Sequence, residues 1–274
     1  MHEKNVYFMH SYLPSMTEGR YSRIEKLKKI GPGNLQKLQT LSVAVIGIGG
    51  TGSLLTEMLA SNGIARITII DRDYVEESNL HRQIIFSESD IGKRKVDAAA
   101  RRISQINAST SVKKVFGTLD SSNAIEIFNA VDYVLDCTDN ITSRLIINDA
   151  CVKLGKPWIF SSALETYGQF KAIVPGKTSC FACFDDHVPE AFPTCAQVGV
   201  LSSVPSIISS FVFSTLVRML VGEENGDFLY HLEAWPPSID RVLIKRNQEC
   251  RSCVKGNYVF LDRKYSGLDF HPLA

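Results

Sequence analysis

Two groups of residues in this 274-residue chain have an arrangement that chemistry can use: a glycine run followed by scattered acids and cations, and cysteines in pairs. Gly47-Ile48-Gly49-Gly50-Thr51-Gly52 has the form G-x-G-x-x-G. Glycines there permit a tight turn and let backbone N–H groups approach a phosphate, and a helix starting at the loop favours negative charge. Asp71, about 20 residues further on, stands where a carboxylate can accept hydrogen bonds from ribose hydroxyls. The loop alone suits a redox dinucleotide as well as ATP, so an NAD(P)- or FAD-dependent oxidoreductase is the first rival reading. A triphosphate carries more charge than a helix terminus can offset, so an ATP site calls for basic side chains and for a carboxylate that holds Mg²⁺. Arg82 and Lys95 suit the first task, and Asp139, just beyond the apolar run that ends at Asp136, suits the second. Singly, each has an ordinary alternative: Lys95 as a solvated helix residue, Asp139 as a helix N-cap before Ile141.

Cys180-Phe181-Ala182-Cys183 and Cys250-Arg251-Ser252-Cys253 supply four thiolates in two knuckles. That donor set matches a closed tetrahedral Zn²⁺ site, structural because no position is left for water. Redox pairs are the competing reading, but a redox Cys-x-x-Cys belongs to a thioredoxin-like unit and two pairs would duplicate each other. Cys195, in Pro193-Thr194-Cys195-Ala196-Gln197, is the candidate nucleophile if a helix N-terminus lowers its pKa, and a buried thiol otherwise. Cys137 and Cys151 read as core residues.

The scaffold expected to carry these groups is α/β: a Rossmann-like, mostly parallel sheet flanked by helices, with an antiparallel C-terminal addition. Short β-branched runs at 41–46, 67–70, 131–136 and 157–160 predict buried strands. Helices are predicted over 52–62, 93–106 and 143–154, and an earlier one over 21–30 is ended by Gly31-Pro32-Gly33. Strands at 169–174, 228–234 and 239–245 make the addition. No repeat or low-complexity linker interrupts the chain, which divides into an N-terminal helical arm (1–40) and one large domain (41–274) with halves 41–160 and 161–274.

A net charge of +1 and a mean hydropathy of +0.00 give no global case for nucleic acid or membrane as partner. The uncharged stretch from Cys195 to Val217 has the length of a membrane span, but its serines and Pro205 favour a buried helix at a subunit interface. No secretory signal precedes the domain, so the expected location is the cytoplasm.

Gly47-x-Gly49-Gly50-x-Gly52, Asp71-x-Asp73, Ser78-Asn79-Leu80-x-Arg82-Gln83, Gly92-x-x-Lys95 and Asp136-Cys137-Thr138-Asp139-Asn140 occur in that order. This combination closely resembles the MoeB/ThiF/ubiquitin-activating superfamily, over about residues 20–253. The resemblance implies a ThiF-like adenylation domain that activates the C-terminal glycine of a small ubiquitin-like or sulfur-carrier protein ending in Gly-Gly, with ATP and Mg²⁺, releasing pyrophosphate. It implies that 41–160 binds nucleotide and that 161–274 holds the crossover, the zinc and the carrier. Gly49 and Gly52 would line the nucleotide loop with Gly47 and Gly50, Asp71 would hold the ribose, Asp73 would belong to the same nucleotide site, and Asn79, Arg82 and Lys95 would contact the phosphates, with Asp139 serving the metal and the reacting centre. It agrees with zinc at the four paired cysteines, and in some relatives a cysteine placed like Cys195 forms a thioester or persulfide-linked intermediate. Arg23, in Arg20-Tyr21-Ser22-Arg23, would reach the partner subunit's ATP site, so a homodimer is expected. No rhodanese-like domain follows Cys253, so any sulfur is expected from another protein. An inactive scaffold and a relative acting on a peptide or a modified tRNA base are the further alternatives.

Overall fold

A computed structural model describes residues 19–186, 198–223 and 226–262. Its centre is an eight-stranded sheet in the order β3-β2-β1-β4-β5-β6-β7-β8. The strands are β1 Ser42–Ile46, β2 Arg66–Asp71, β3 Ser111–Phe116, β4 Tyr133–Asp136, β5 Trp158–Leu164, β6 Tyr167–Ile173, β7 Phe228–Ala234 and β8 Pro237–Leu243. β3, β2, β1, β4 and β5 run parallel, and β6, β7 and β8 add on antiparallel. The α/β class, the parallel centre and the antiparallel addition are as the sequence implies.

β1 is buried along its whole length because both faces are covered, which is why it reads as an unbroken apolar run. Its alternate residues feed two cores. Val43 and Val45 pack with Leu55 and Leu59 of α3 (Gly50–Ser61), with α4 (Lys95–Ile106), and with α7 (Ser203–Leu220). Ala44 and Ile46 pack on the opposite face with α5 (Ala124–Asn129), α6 (Ile141–Leu154) and Trp158. α1 (Ser22–Glu25) and α2 (Gly31–Thr40) precede the sheet, and α8 (Val259–Asp262) closes on α6.

The structure corrects several boundaries. The helix expected over 21–30 is a single turn, and Gly31-Pro32-Gly33 opens α2 instead of closing its predecessor, since proline is preorganised for a first helical turn. β3 and α5 were not expected: β3 is an edge strand with exposed Lys113 and Lys114 and only half-buried Val112 and Val115, so it lacks a clear apolar alternation. Pro205 falls in the first turn of α7, where it is tolerated, rather than breaking the segment. α7 is long and apolar enough to cross a membrane, yet Val204, Ile208, Val212 and Leu216 form one buried stripe. Ser206, Ser210 and Ser214 lie on another stripe and bond back to carbonyls four residues earlier.

Candidate active site

The chain leaves β1 toward β2 on one side while β4 lies on the other, and the helices that follow β1 and β4 cover opposite faces. A crevice therefore opens beyond the carboxyl ends of the strands, where ligands bind in such sheets. It is a cleft of about 670 Å³ lined by the glycine loop, Asp71, Asp73, Asn79, Arg82, Lys95, Asp139 and the start of β6.

Two glycines are required by geometry. Gly47 has φ +88°, and a Cβ there would lie 2.8 Å from the Cys137 carbonyl oxygen; at Gly52 it would lie 2.0 Å from the Gly47 carbonyl oxygen. At Gly49 nothing lies within 4 Å, so the loop surface is open to a ligand at that point. α7 backs the loop: Pro205 packs against Gly50, and Ser209 Oγ donates to the Thr51 carbonyl at 2.7 Å. Asp71 locks it from the other side, accepting from the Ile48 N–H at 2.7 Å and from the Asp73 N–H at 2.8 Å. Burial pushes the Asp71 carboxyl above its ordinary value, while the Lys95 charge and the two N–H groups oppose this.

Lys95 opens α4 and is only 5% exposed, so it is not a solvated helix residue; its ammonium donates to Asp73 Oδ2 at 3.1 Å. Arg82 is half-buried, with Nη1 donating to the Ser78 carbonyl at 2.9 Å and contacting His81 Nε2 at 2.9 Å. Asn79 ends the 3₁₀ turn Glu77–Asn79, and its Oδ1 accepts from the Glu76 N–H at 3.3 Å. The N-cap of α6 is Asn140, whose Oδ1 accepts from the Ser143 N–H at 2.8 Å. Asp139 is thus not the cap. Its exposed carboxylate lines the cleft and makes no hydrogen bond or ion pair among the described residues.

The loop that presents Asp139 is braced by Asp136 and Arg144, neither of which had been assigned a role. Asp136 Oδ1 accepts from the Thr138 N–H at 2.9 Å and hydroxyl at 2.7 Å, and Arg144 lies 3.5 Å from Oδ2 while donating to the Thr138 carbonyl at 2.8 Å. Burial raises the Asp136 carboxyl despite Arg144. The available signals were an Asx-turn pattern, Asp136-Cys137-Thr138, and an arginine inside an otherwise buried helix. Gly117, Thr118 and Leu119, just after β3, also line the cleft and were missed with their strand.

Arg23 does not line the cleft. It borders a groove of about 450 Å³ with Ile24, Leu27, Phe213, Ser214 and Val217. Cys195 lies outside the described residues. Burial raises the thiols of Cys137 and Cys151, which disfavours either as a nucleophile.

The paired cysteines converge: Sγ–Sγ distances are 3.8 Å for Cys180–Cys183, 3.5 Å for Cys180–Cys250 and 3.5 Å for Cys183–Cys253, and all four sulfurs fall within 4.8 Å. A tetrahedron with Zn–S near 2.3 Å has sulfurs about 3.8 Å apart, so the donor set fits zinc. Asn148 of α6 holds both knuckles, accepting from the Phe181 N–H at 2.9 Å and donating to Ser252 Oγ at 3.1 Å. Asp149, fully buried, accepts from Arg251 at 2.8 Å and from the Phe260 N–H at 3.2 Å.

The sequence profile of the ThiF family matches residues 21–252. The chain is 34% identical over 247 residues to the sulfur carrier protein ThiS adenylyltransferase of Bacillus subtilis (strain 168), covering 89% of this chain and 74% of that protein. It is 32% identical over 243 residues to the sulfur carrier protein adenylyltransferase of Thermus thermophilus, covering 85% of this chain and 90% of that one. The structure of E. coli MccB with ATP shares the fold, with a TM-score of 0.74 at 23% identity over 86% of this chain and 75% of that one. With a family match over most of its length and relatives above 30% identity, this chain belongs to the ThiF family.

Proposed function

We propose that this enzyme uses ATP to adenylate the C-terminal carboxylate of a small ubiquitin-like or sulfur-carrier protein. The observation that carries the proposal is the composition of the cleft: a glycine cradle, two cationic side chains in Arg82 and Lys95, and an uncommitted carboxylate in Asp139, all on one crevice. The similarity to two sulfur-carrier adenylyltransferases supports the substrate class.

A carboxylate is a poor acyl donor because oxide is a bad leaving group. Attack of a carboxylate oxygen on the α-phosphorus forms an acyl–phosphate bond, breaks the bond to the bridging oxygen and releases pyrophosphate, leaving AMP as the acyl leaving group. Two anions must be aligned, so positioning and cations suffice and no protein nucleophile is needed. Asp71 and Asp73 would hold the ribose, and Asn79, Arg82 and Lys95 the phosphates. Asp139 would hold Mg²⁺, which when bound neutralises phosphate charge. Lys95 would exchange Asp73 for phosphate, a small move because both line the same wall. Zn²⁺ at Cys180, Cys183, Cys250 and Cys253 would serve as a structural cross-link.

The proposal includes a homodimer in which Arg23 completes the partner's site, since within its own protomer it lies away from the cleft. It also includes transfer of the acyl group to a thiol. With Cys195 as acceptor, its thiolate attacks the acyl carbon, a thioester forms and AMP leaves. The cytoplasm is the proposed location. ATP–pyrophosphate exchange with carriers ending in Gly-Gly tests the central reaction, and exchange without carrier dependence, or none with any carrier, refutes it. Mixing Arg23→Ala with Lys95→Ala subunits tests the shared site. Activity above either parent supports it, and none above the parents removes it.

A further inference from the structure

Lys171 does not line the cleft, and adenylation as argued above gives it no task, yet its side chain is fully enclosed. It sits in the middle of β6 opposite Phe160 of β5, so the two side chains share one face of the sheet. That is the face on which the cysteines converge: the Phe160 ring lies 5.1 Å from the ring of Phe181, the residue after Cys180. The Lys171 ammonium donates to Asp227, which precedes β7. Asp227 also accepts from the Ser179 N–H at 2.8 Å and from the Ser179 hydroxyl at 2.6 Å, and Ser179 is bonded to Cys180. A lysine is thus tied, through one carboxylate, to the first cysteine knuckle.

A buried ion pair is often less stable than apolar side chains of the same volume, so the lysine calls for a reason. Burial pushes its ammonium below the ordinary value, and Asp227 and the thiolates of Cys180 and Cys183 oppose this. The pair is lopsided. Lys171 is shut off from solvent whereas the Asp227 side chain is 24% exposed, so water screens the carboxylate and leaves the ammonium's field on the sulfurs. The cation flanked by the second pair of cysteines, Arg251, is already spent on Asp149 at 2.8 Å and Asp186 at 2.6 Å. Four thiolates around Zn²⁺ carry an excess of negative charge, which a buried site resists unless a cation offsets it. We propose that Lys171 is an auxiliary residue of the metal site, its enclosed ammonium offsetting the charge of the tetrathiolate and so setting how tightly zinc is held. This rests on zinc at Cys180, Cys183, Cys250 and Cys253.

Lys171→Met removes the charge and the hydrogen bond to Asp227, whereas Lys171→Gln removes the charge and keeps a donor. Competition with a chromophoric chelator gives the zinc Kd of the full chain. Co²⁺ in place of zinc reports the donor set through its sulfur-to-metal charge-transfer band. The zinc Kd rises about 10–100-fold in both variants while the four-thiolate cobalt band keeps its intensity. An unchanged Kd in either variant overturns the inference; in the glutamine variant alone it would mean that the hydrogen bond suffices without the charge. A weakened cobalt band overturns it too, since a lost sulfur donor would then explain the affinity. Wild-type protein that holds no zinc and gives no such band overturns instead the zinc reading of the cysteines.

Discussion

Asp90 offers a stringent check on how the loop that carries Arg82 is held. It is 2% exposed, at the end of the 3₁₀ turn Glu88–Asp90. It accepts from the Ser87 N–H at 3.2 Å, the Ser87 hydroxyl at 3.0 Å, Lys93 Nζ at 3.3 Å and the Arg101 guanidinium. Burial alone would raise its carboxyl, but Arg101, Ser87 and Lys93 hold it at about 2 against an ordinary 3.8. A carboxyl depressed in the folded state binds its proton more tightly when unfolded, so its contribution is complete above the unfolded value and is lost as pH falls from about 4 through about 2. At about 1.4 kcal/mol per unit, Asp90 contributes on the order of 2 kcal/mol at neutral pH, an upper figure because Arg101 and Lys93 are half exposed and salt screens them. Asp90→Asn should therefore lower unfolding free energy by about 1–2 kcal/mol at pH 7 in low salt, and by progressively less toward pH 2.5. Urea unfolding at fixed protein concentration across that range measures it. A deficit that is the same at pH 7 and pH 2.5, or absent at both, would refute the reasoning.

Other changes have equally direct outcomes. Lys95→Ala should cut ATP–pyrophosphate exchange by about 10²–10³-fold, with circular dichroism unchanged. Gly52→Ala forces a Cβ to 2.0 Å from the Gly47 carbonyl, so it should cost roughly 1–3 kcal/mol in thermal unfolding and weaken ATP binding in titration. Purified protein should contain a single zinc ion per chain by atomic spectroscopy. Cys180→Ser should lower both zinc content and Tm.

What the sequence disclosed depended on how locally each feature is determined. The glycine loop was readable because a positive φ at Gly47 and a backbone contact at Gly52 exclude other residues, and those constraints leave a fixed spacing. The four-cysteine cluster was readable because two knuckles of the same form carry the donors, although 70 residues separate Cys180 from Cys250. β3 was hidden because only Val112 and Val115 are half-buried, one against each core, so the strand has no single apolar face to read. The brace of Asp136 by Arg144 and the buttress of Ser209 on Thr51 were hidden because they join distant elements, and no local pattern marks the partner. α2 was missed because Gly31-Pro32-Gly33 reads as the end of a helix, whereas a proline suits the first turn of one equally well.

Helix α6 links the cleft to the cysteine cluster, touching the first through its N-cap and the second from its middle turn. Its N-cap, Asn140, adjoins the Asp139 carboxylate that lines the cleft, and about 12 Å along its axis Asn148 grips both cysteine knuckles. The helix is buried along most of its length, so loosening the grip at Asn148 should shift the angle at which its N-terminus presents Asp139. With zinc at the four cysteines as proposed, stripping it should register as a weaker hold on ATP before the chain unfolds, and cells short of zinc would then lose the proposed activity ahead of the structure.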